Sequence, residues 1–182
     1  MKDDAGKMAD AVDMENGMKG VVIDKVTLNI GVGMAGQELE NAKSLLERLS
    51  GAKAVPTRAK VRNPVFRIKK GDVIGTKTTL RGPQALEFLK KALKVKGFSL
   101  PTRSFDKEGN FSFGVPEYIE FPGAKYDPKI GMLGFDVCIT LRRRGFRVAR
   151  RRRLRSRIGG KHRLTKSDGI EFARSVLSVK VE

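Results

Sequence analysis

Cysteine is nearly missing from this 182-residue chain. Cys138 stands alone, which excludes an internal disulfide and any zinc site built on several cysteines. Histidine is as scarce: His162 is the single one, so Cys–His catalysis would need these two residues together, and metal ligands of the usual kinds and spacings are lacking. Long apolar runs are missing too. The longest, such as residues 20–23 and 130–135, fall far short of the roughly 20 residues that cross a bilayer. The N-terminus shows no charged start leading into an apolar stretch and a small-residue cleavage site, so a reducing, intracellular setting is expected. Carboxylates are numerous, but no pattern pairs two of them in a pocket, and enzymatic function finds no support.

The most informative absence is that of acid from two segments. Residues 53–70 hold seven lysines and arginines and residues 142–163 hold twelve, with no Asp or Glu in either. The chain has 38 basic and 20 acidic residues, net +18; removing 7 + 12 = 19 bases leaves 19 against 20, or −1, elsewhere. A surface that merely keeps a protein in solution intersperses both signs. Charge gathered this way opposes compaction and persists because a polyanion cancels it.

Hydrophobic residues make up 40% of the chain, enough to bury one core of ordinary size. Residues 1–20 are acidic and aperiodic and read as a flexible tail; 21–182 read as one domain. β-branched residues in 21–30 predict a strand. Leu39, Ala42, Leu45, Leu46 and Leu49 form one stripe of a helix over 37–50, with Gly51 placed for a left-handed cap. Residues 53–62, interrupted by Pro56, suit an extended loop or edge strand. Residues 66–68 and 73–80 suggest a hairpin. Pro83 opens a second helix with Ala85, Leu86, Leu89, Ala92 and Leu93 inward. Strands are expected at 118–121 and 136–141, the latter burying Cys138. Thr165 and Asp168 have capping-box spacing for a last helix from Ser167 to about Leu177. Strands and helices mix without βαβ alternation, so the expected class is α+β: a largely antiparallel sheet flanked by helices, with a basic C-terminal extension.

Gly31, Gly33 and Gly36 spell GxGxxG between a strand and a helix, the pattern that cradles a pyrophosphate. The acid that should hold the ribose is missing, because no Asp or Glu lies between Glu47 and Asp72. A bare glycine turn is the better reading, and no cofactor is expected. In the first basic segment Phe66 beside Arg67 offers a ring and a guanidinium plane on which unpaired bases stack, although Phe66 fits a core position equally well. In the second, arginine outnumbers lysine, and its planar fork suits phosphate or guanine. A nuclear-targeting signal or an acidic-membrane patch are rival explanations; no amphipathic helix or lipidation motif accompanies the run. Structured RNA fits best, ahead of a nucleotide-dependent enzyme and of a DNA-compacting protein.

The phrases VTLNIGVG, GAKAVPTRAKVRNPVFRIKKGDVIGTKTTLRG, RSFDKEGNFSFGVPEYIEFPGAKYD and GMLGFDVCIT follow one another over residues 21–141. In that order they resemble the universal large-subunit ribosomal protein number five family, the 5S-RNA-binding one. The remainder, GFRVARRR to IGGKHRLTK, is similar to the extension of its archaeal-type form. The resemblance implies 5S rRNA contacts at Asn29, Thr57, Arg58 and Lys60; Gly31 and Gly33, whose tight turn lets backbone approach a phosphate, and Arg62 of the first basic segment are expected to join them. It implies a loop reaching P-site tRNA at Val65, Phe66, Arg67, Lys69 and Lys70. The extension would meet ribosomal RNA through Arg142, Arg143, Arg144, Arg147, Arg150, Arg151, Arg152, Arg153, Arg155, Arg157, Lys161, His162 and Arg163. Further implied partners are 23S-type large-subunit rRNA, neighbouring 5S-associated ribosomal proteins, and a small-subunit head protein bridged near residues 107–113. The setting would be the cytoplasm, on the 50S subunit, with no membrane partner. Ala52 stands where many relatives carry a glutamine, which puts one polar RNA contact in doubt.

Overall fold

Alternating side chains between Val21 and Gly31 (β1) place Val26, Leu28 and Ile30 inward, each buried. The protein is described here by a computed structural model that defines residues 17–33 and 36–182. The expected acidic tail, as far as residue 16, lies outside the described residues. After β1 come α1 (Gln37–Ser50), β2 (Val55–Arg58), β3 (Val73–Leu80), α2 (Gly82–Val95), β4 (Ser99–Leu100), β5 (Phe111–Val115), β6 (Phe135–Arg143), α3 (Arg147–Arg150), α4 (Lys166–Leu177) and β7 (Lys180–Val181). The class is α+β, as the mixed pattern predicts.

The described residues form two compact units. One, the sheet unit, comprises Lys25–Gly97 and Ser112–Cys138; the other, the C-terminal unit, comprises the residues up to Asp24, Phe98–Phe111 and Ile139–Glu182. The main sheet has the order β2-β3-β1-β6-β5, with β3 antiparallel to both β1 and β2.

In the sheet unit α1 packs on β3. It buries Ala42, Leu45 and Leu46 and ends at Gly51, whose φ of 65° is the left-handed cap its sequence position implies. On α2, Phe88 stacks on Phe121 with centroids 4.8 Å apart and meets Phe135 edge-on at 6.4 Å. The strand expected at 118–121 is instead a single 3-10 turn, Tyr118–Glu120. Tyr118 and Phe121 are the buried pair there, a spacing of three that suits a tight turn and not the alternation of a strand. Residues 66–68 are not a strand either: β3 takes its partner from β2, and only an isolated Asn63–Ile68 bridge remains.

In the C-terminal unit α4 begins with a complete capping box. Thr165 accepts the Asp168 N–H, and the Asp168 carboxylate accepts the Thr165 N–H at 2.9 Å. Gly169, in the first turn of α4, lies so close to Gly109 that a Cβ there would strike the Gly109 carbonyl. A two-stranded parallel sheet, β4 with β7, has no signal in the sequence because each strand is two residues long.

Candidate nucleic-acid interface

Strand pairing assembles the first basic region. Asn29 on β1 faces Lys77 on β3, and Lys77 faces Val55 on β2; one row further, Gly31, Gly75 and Thr57 line up. Directly paired residues share a face of a sheet, as do residues two apart on one strand. Thr27, Asn29, Thr57, Lys77 and Thr79 therefore stand on one side, exposed or half-buried, opposite the core side of Val26, Leu28, Ile30 and Leu80. The polar face continues through Asp136 and Cys138 of β6 and Ser112 and Gly114 of β5, all exposed.

Cys138 is therefore exposed and not buried as expected. Phe135, Val137, Ile139 and Leu141 take the inward positions of β6, and strict alternation turns Cys138 outward. Desolvation at the sheet surface and the neighbouring Asp136 charge raise the pKa of its thiol, which disfavours the thiolate.

Gly75 has a specific reason to be glycine. An added Cβ would come within 2.5 Å of the Ile30 carbonyl oxygen and 3.1 Å of Thr57 Oγ1. A β-bulge follows between Thr57 and Arg58. Arg58, Lys60 and Arg62 come after it, all exposed, and none has a carboxylate partner among the described residues.

In the glycine turn two backbone donors are already committed within the fold. The N–H groups of Val32 and Gly33 both donate to the Ile74 carbonyl, at 3.0 and 2.8 Å. Donors bound in this way cannot cradle a pyrophosphate. Gly31 and Gly33 are exposed at the end of β1, Gly33 with φ 89°.

The connection from β2 to β3 is a self-ordered knob. Ala59 donates to the Asp72 carbonyl at 2.8 Å at its neck, and Asn63 and Ile68 bond each other above it. The Asn63 side chain accepts the Val65 N–H at 3.1 Å, and Asp72 accepts the Lys69 N–H at 2.7 Å. Arg67 adopts a left-handed conformation with φ 55°. The tip leaves Val65 85% and Phe66 71% exposed, with Arg67, Lys69 and Lys70 exposed around them. The choice left open for Phe66 is resolved: it is no core residue.

The second basic region is more divided than its sequence suggests. The Asp24 carboxylate of β1, buried, is gripped by Arg150 through Nη1 at 3.2 Å and Nη2 at 2.6 Å, while Arg142 Nε lies 3.1 Å away as an ion pair without hydrogen-bond geometry. The hydrogen bond that Arg150 donates to Asp24 raises the pKa of Arg150 above its ordinary value. Arg143 pairs with Asp168 of the capping box at 3.0 Å, and its Nη1 donates to the Lys161 carbonyl at 3.3 Å. His162 Nε2 bonds the Arg144 carbonyl at 2.8 Å and its ring lies 6.3 Å from that of Phe146. Arg151 donates to the Leu154 carbonyl at 2.7 Å. Arg144, Arg147, Arg152, Arg153, Arg155, Arg157, Lys161 and Arg163 remain exposed with no carboxylate partner among the described residues.

Residues 73–172 match the model for the C-terminal part of the ribosomal protein L5 family, and residues 16–69 match that described as ribosomal protein L5. The chain belongs to the ribosomal protein L5 family. It is 51% identical over 168 residues to the large ribosomal subunit protein uL5 of Archaeoglobus fulgidus, covering 92% of this chain and 93% of that one. The uL5 protein of Nanoarchaeum equitans is 48% identical over 92% of this chain and 99% of its own. That of Sulfolobus acidocaldarius is 46% identical over 92% and 94%. The archaeal-type form that the resemblance named agrees with these relatives.

Lys77 is the residue that sequence reasoning passed over. It lies outside both acid-free segments, and the alternation of β3 was the one signal that could have placed it beside Asn29. Ala52, which the resemblance set against a glutamine, is half-buried just past the end of α1.

Proposed function

We propose that this protein is a structural constituent of the large ribosomal subunit that binds 5S ribosomal RNA through the polar face of its main sheet. The family is structural and not enzymatic, and the reading needs no cofactor. The observation that carries it is the row Asn29–Lys77–Val55, which puts an amide, an ammonium and Thr57 on one polar face beside Arg58, Lys60 and Arg62. Cations neutralise phosphates and release counterions, while a rigid sheet fixes register on one RNA shape.

On this reading Gly31 and Gly33 lie against the same RNA, and the tip from Val65 to Lys70 reaches P-site tRNA. The exposed arginines of the extension meet 23S-type rRNA. Neighbouring 5S-associated proteins and a small-subunit head protein near residues 107–113 complete the contacts, in the cytoplasm on the 50S subunit. Residues 1–20 form the acidic tail and 21–182 the RNA-binding domain.

The test is a filter-binding titration of 5S transcript with the Arg58→Ala, Lys60→Ala and Lys77→Ala proteins. Each exposed cation removed weakens binding several-fold and leaves the thermal melt unchanged. Unaltered affinity in all three would remove the sheet face from the interface.

A further inference from the structure

The C-terminal unit contains a cleft of about 650 Å³ that lies entirely within that unit. Five arginines line it: Arg142, Arg150, Arg155, Arg157 and Arg163. Their situations differ. Arg142 and Arg150 are held on the Asp24 carboxylate and form a charge-compensated wall. Arg155, Arg157 and Arg163 are exposed and have no carboxylate within ion-pair distance among the described residues. Among the described residues Glu108 is the only other acid in the lining, so their side chains leave the cleft with an excess of positive charge.

The rest of the wall is apolar. Leu141, Phe146, Ala149, Ile158 and Leu164 contribute to it. Asn110, also at the wall, is engaged within the fold: its Oδ1 accepts the Leu141 N–H at 3.0 Å and its Nδ2 donates to Asp106 at 3.0 Å. Phe146 is half-buried and kept in place beside His162, which is anchored on the Arg144 carbonyl.

A volume of this size lies within the roughly 300–1,000 Å³ of sites that hold one small molecule. It excludes a duplex. An apolar wall carrying an aromatic ring, beside unpaired guanidinium groups, is what an unstacked base and its phosphate require. We infer that this cleft receives a single unpaired nucleotide of RNA, its phosphate among Arg155, Arg157 and Arg163 and its base against Phe146. The inference rests on the proposed rRNA-binding role of the extension and adds the form of RNA recognised: an extruded base, not a paired helix.

The test compares full-length protein on two synthetic RNA hairpins, one with a single bulged 2-aminopurine and one fully paired. Stacking on an aromatic ring contributes about tenfold or more per base, so the bulged hairpin is expected to bind at least about tenfold tighter, with a change in 2-aminopurine fluorescence. Phe146→Leu is expected to bring the ratio of affinities towards one. Because Phe146 packs beside His162, Arg155→Ala combined with Arg163→Ala, both at exposed positions, provides a second variant that is expected to lose the same preference. Equal binding of the two hairpins by wild-type protein that still holds 5S transcript would overturn the inference and leave the functional reading standing. Wild-type protein that ignores 5S transcript and also binds the two hairpins equally would sink both. Displacement of the bulged hairpin by micromolar AMP would overturn it in favour of a free-nucleotide site.

Discussion

Asp24 is the single charged residue that is buried among the described residues, and its carboxylate is compensated by Arg142 and Arg150. Removing one member of a buried pair leaves the others poorly solvated. Both arginines remain partly exposed, at 34% and 52% of their side chains, so water relieves part of that cost. Asp24→Asn is therefore expected to lower stability by about 1–3 kcal/mol, below the full range for breaking a fully buried pair. Urea unfolding monitored by circular dichroism measures it; an unchanged midpoint would mean that the pair contributes nothing net. Arg150→Ala, which leaves Arg142 in place, is expected to cost less than Asp24→Asn in the same titration.

Among the elements, α1 and the segment 122–131 are tied by Asp127. Its carboxylate accepts Arg48 Nη1 at 2.9 Å and the Lys129 N–H at 3.1 Å, and Asn41 donates to the Lys129 carbonyl at 2.7 Å. The hydrogen bond from Arg48, then that from the Lys129 backbone, hold the Asp127 pKa below its ordinary 3.8. A carboxylate depressed in the folded state binds its proton more readily when unfolded. Its contribution is therefore present above the ordinary value and lost as pH falls through it towards the folded one. Thermal melts of wild type and Asp127→Asn should differ at pH 6 and converge as the pH falls below 3.8 towards the lowered folded value. Parallel curves across that range would exclude Asp127 as the cause.

The knob between β2 and β3 is ordered by backbone bonds and by Asn63 and Asp72, not by its exposed tip. Phe66→Ala with Arg67→Ala is thus expected to change stability by no more than about 0.5 kcal/mol. 5S binding should be retained. P-site tRNA occupancy on reassembled large subunits should fall several-fold, measured by filter binding of labelled tRNA; equal occupancy would remove the tip from that contact.

For the whole molecule the decisive quantity is net charge, +18. Asp24 and Asp168 are already counted in that figure, so their ion pairs with Arg142, Arg143 and Arg150 do not reduce it, and the whole +18 is available to attract a polyanion. With Arg58, Lys60, Arg62 and Lys77 each on a phosphate, log affinity for 5S RNA should fall against log salt with a slope of about −3, at roughly 0.7–0.9 per contact. A slope near zero would contradict an interface built on phosphate neutralisation.

The sequence alone determined what depends on near neighbours. α1 and its Gly51 cap, and the Thr165–Asp168 box of α4, are written in residues three to five apart, where one helical turn brings them together. The segregation of charge needed only counting. Tertiary structure decided what depends on partners far along the chain. Asn29 and Thr57 share a face because β3 arrives between them, and Lys77 joins them for the same reason. Three arginines in an acid-free run become internal braces because Asp24 and Asp168, outside that run, reach them. Residues 118–120 turn and Cys138 faces outward because only the assembled sheet fixes which positions are buried. Local bonding is encoded by spacing; pairing between distant segments depends on which partner the folded chain delivers.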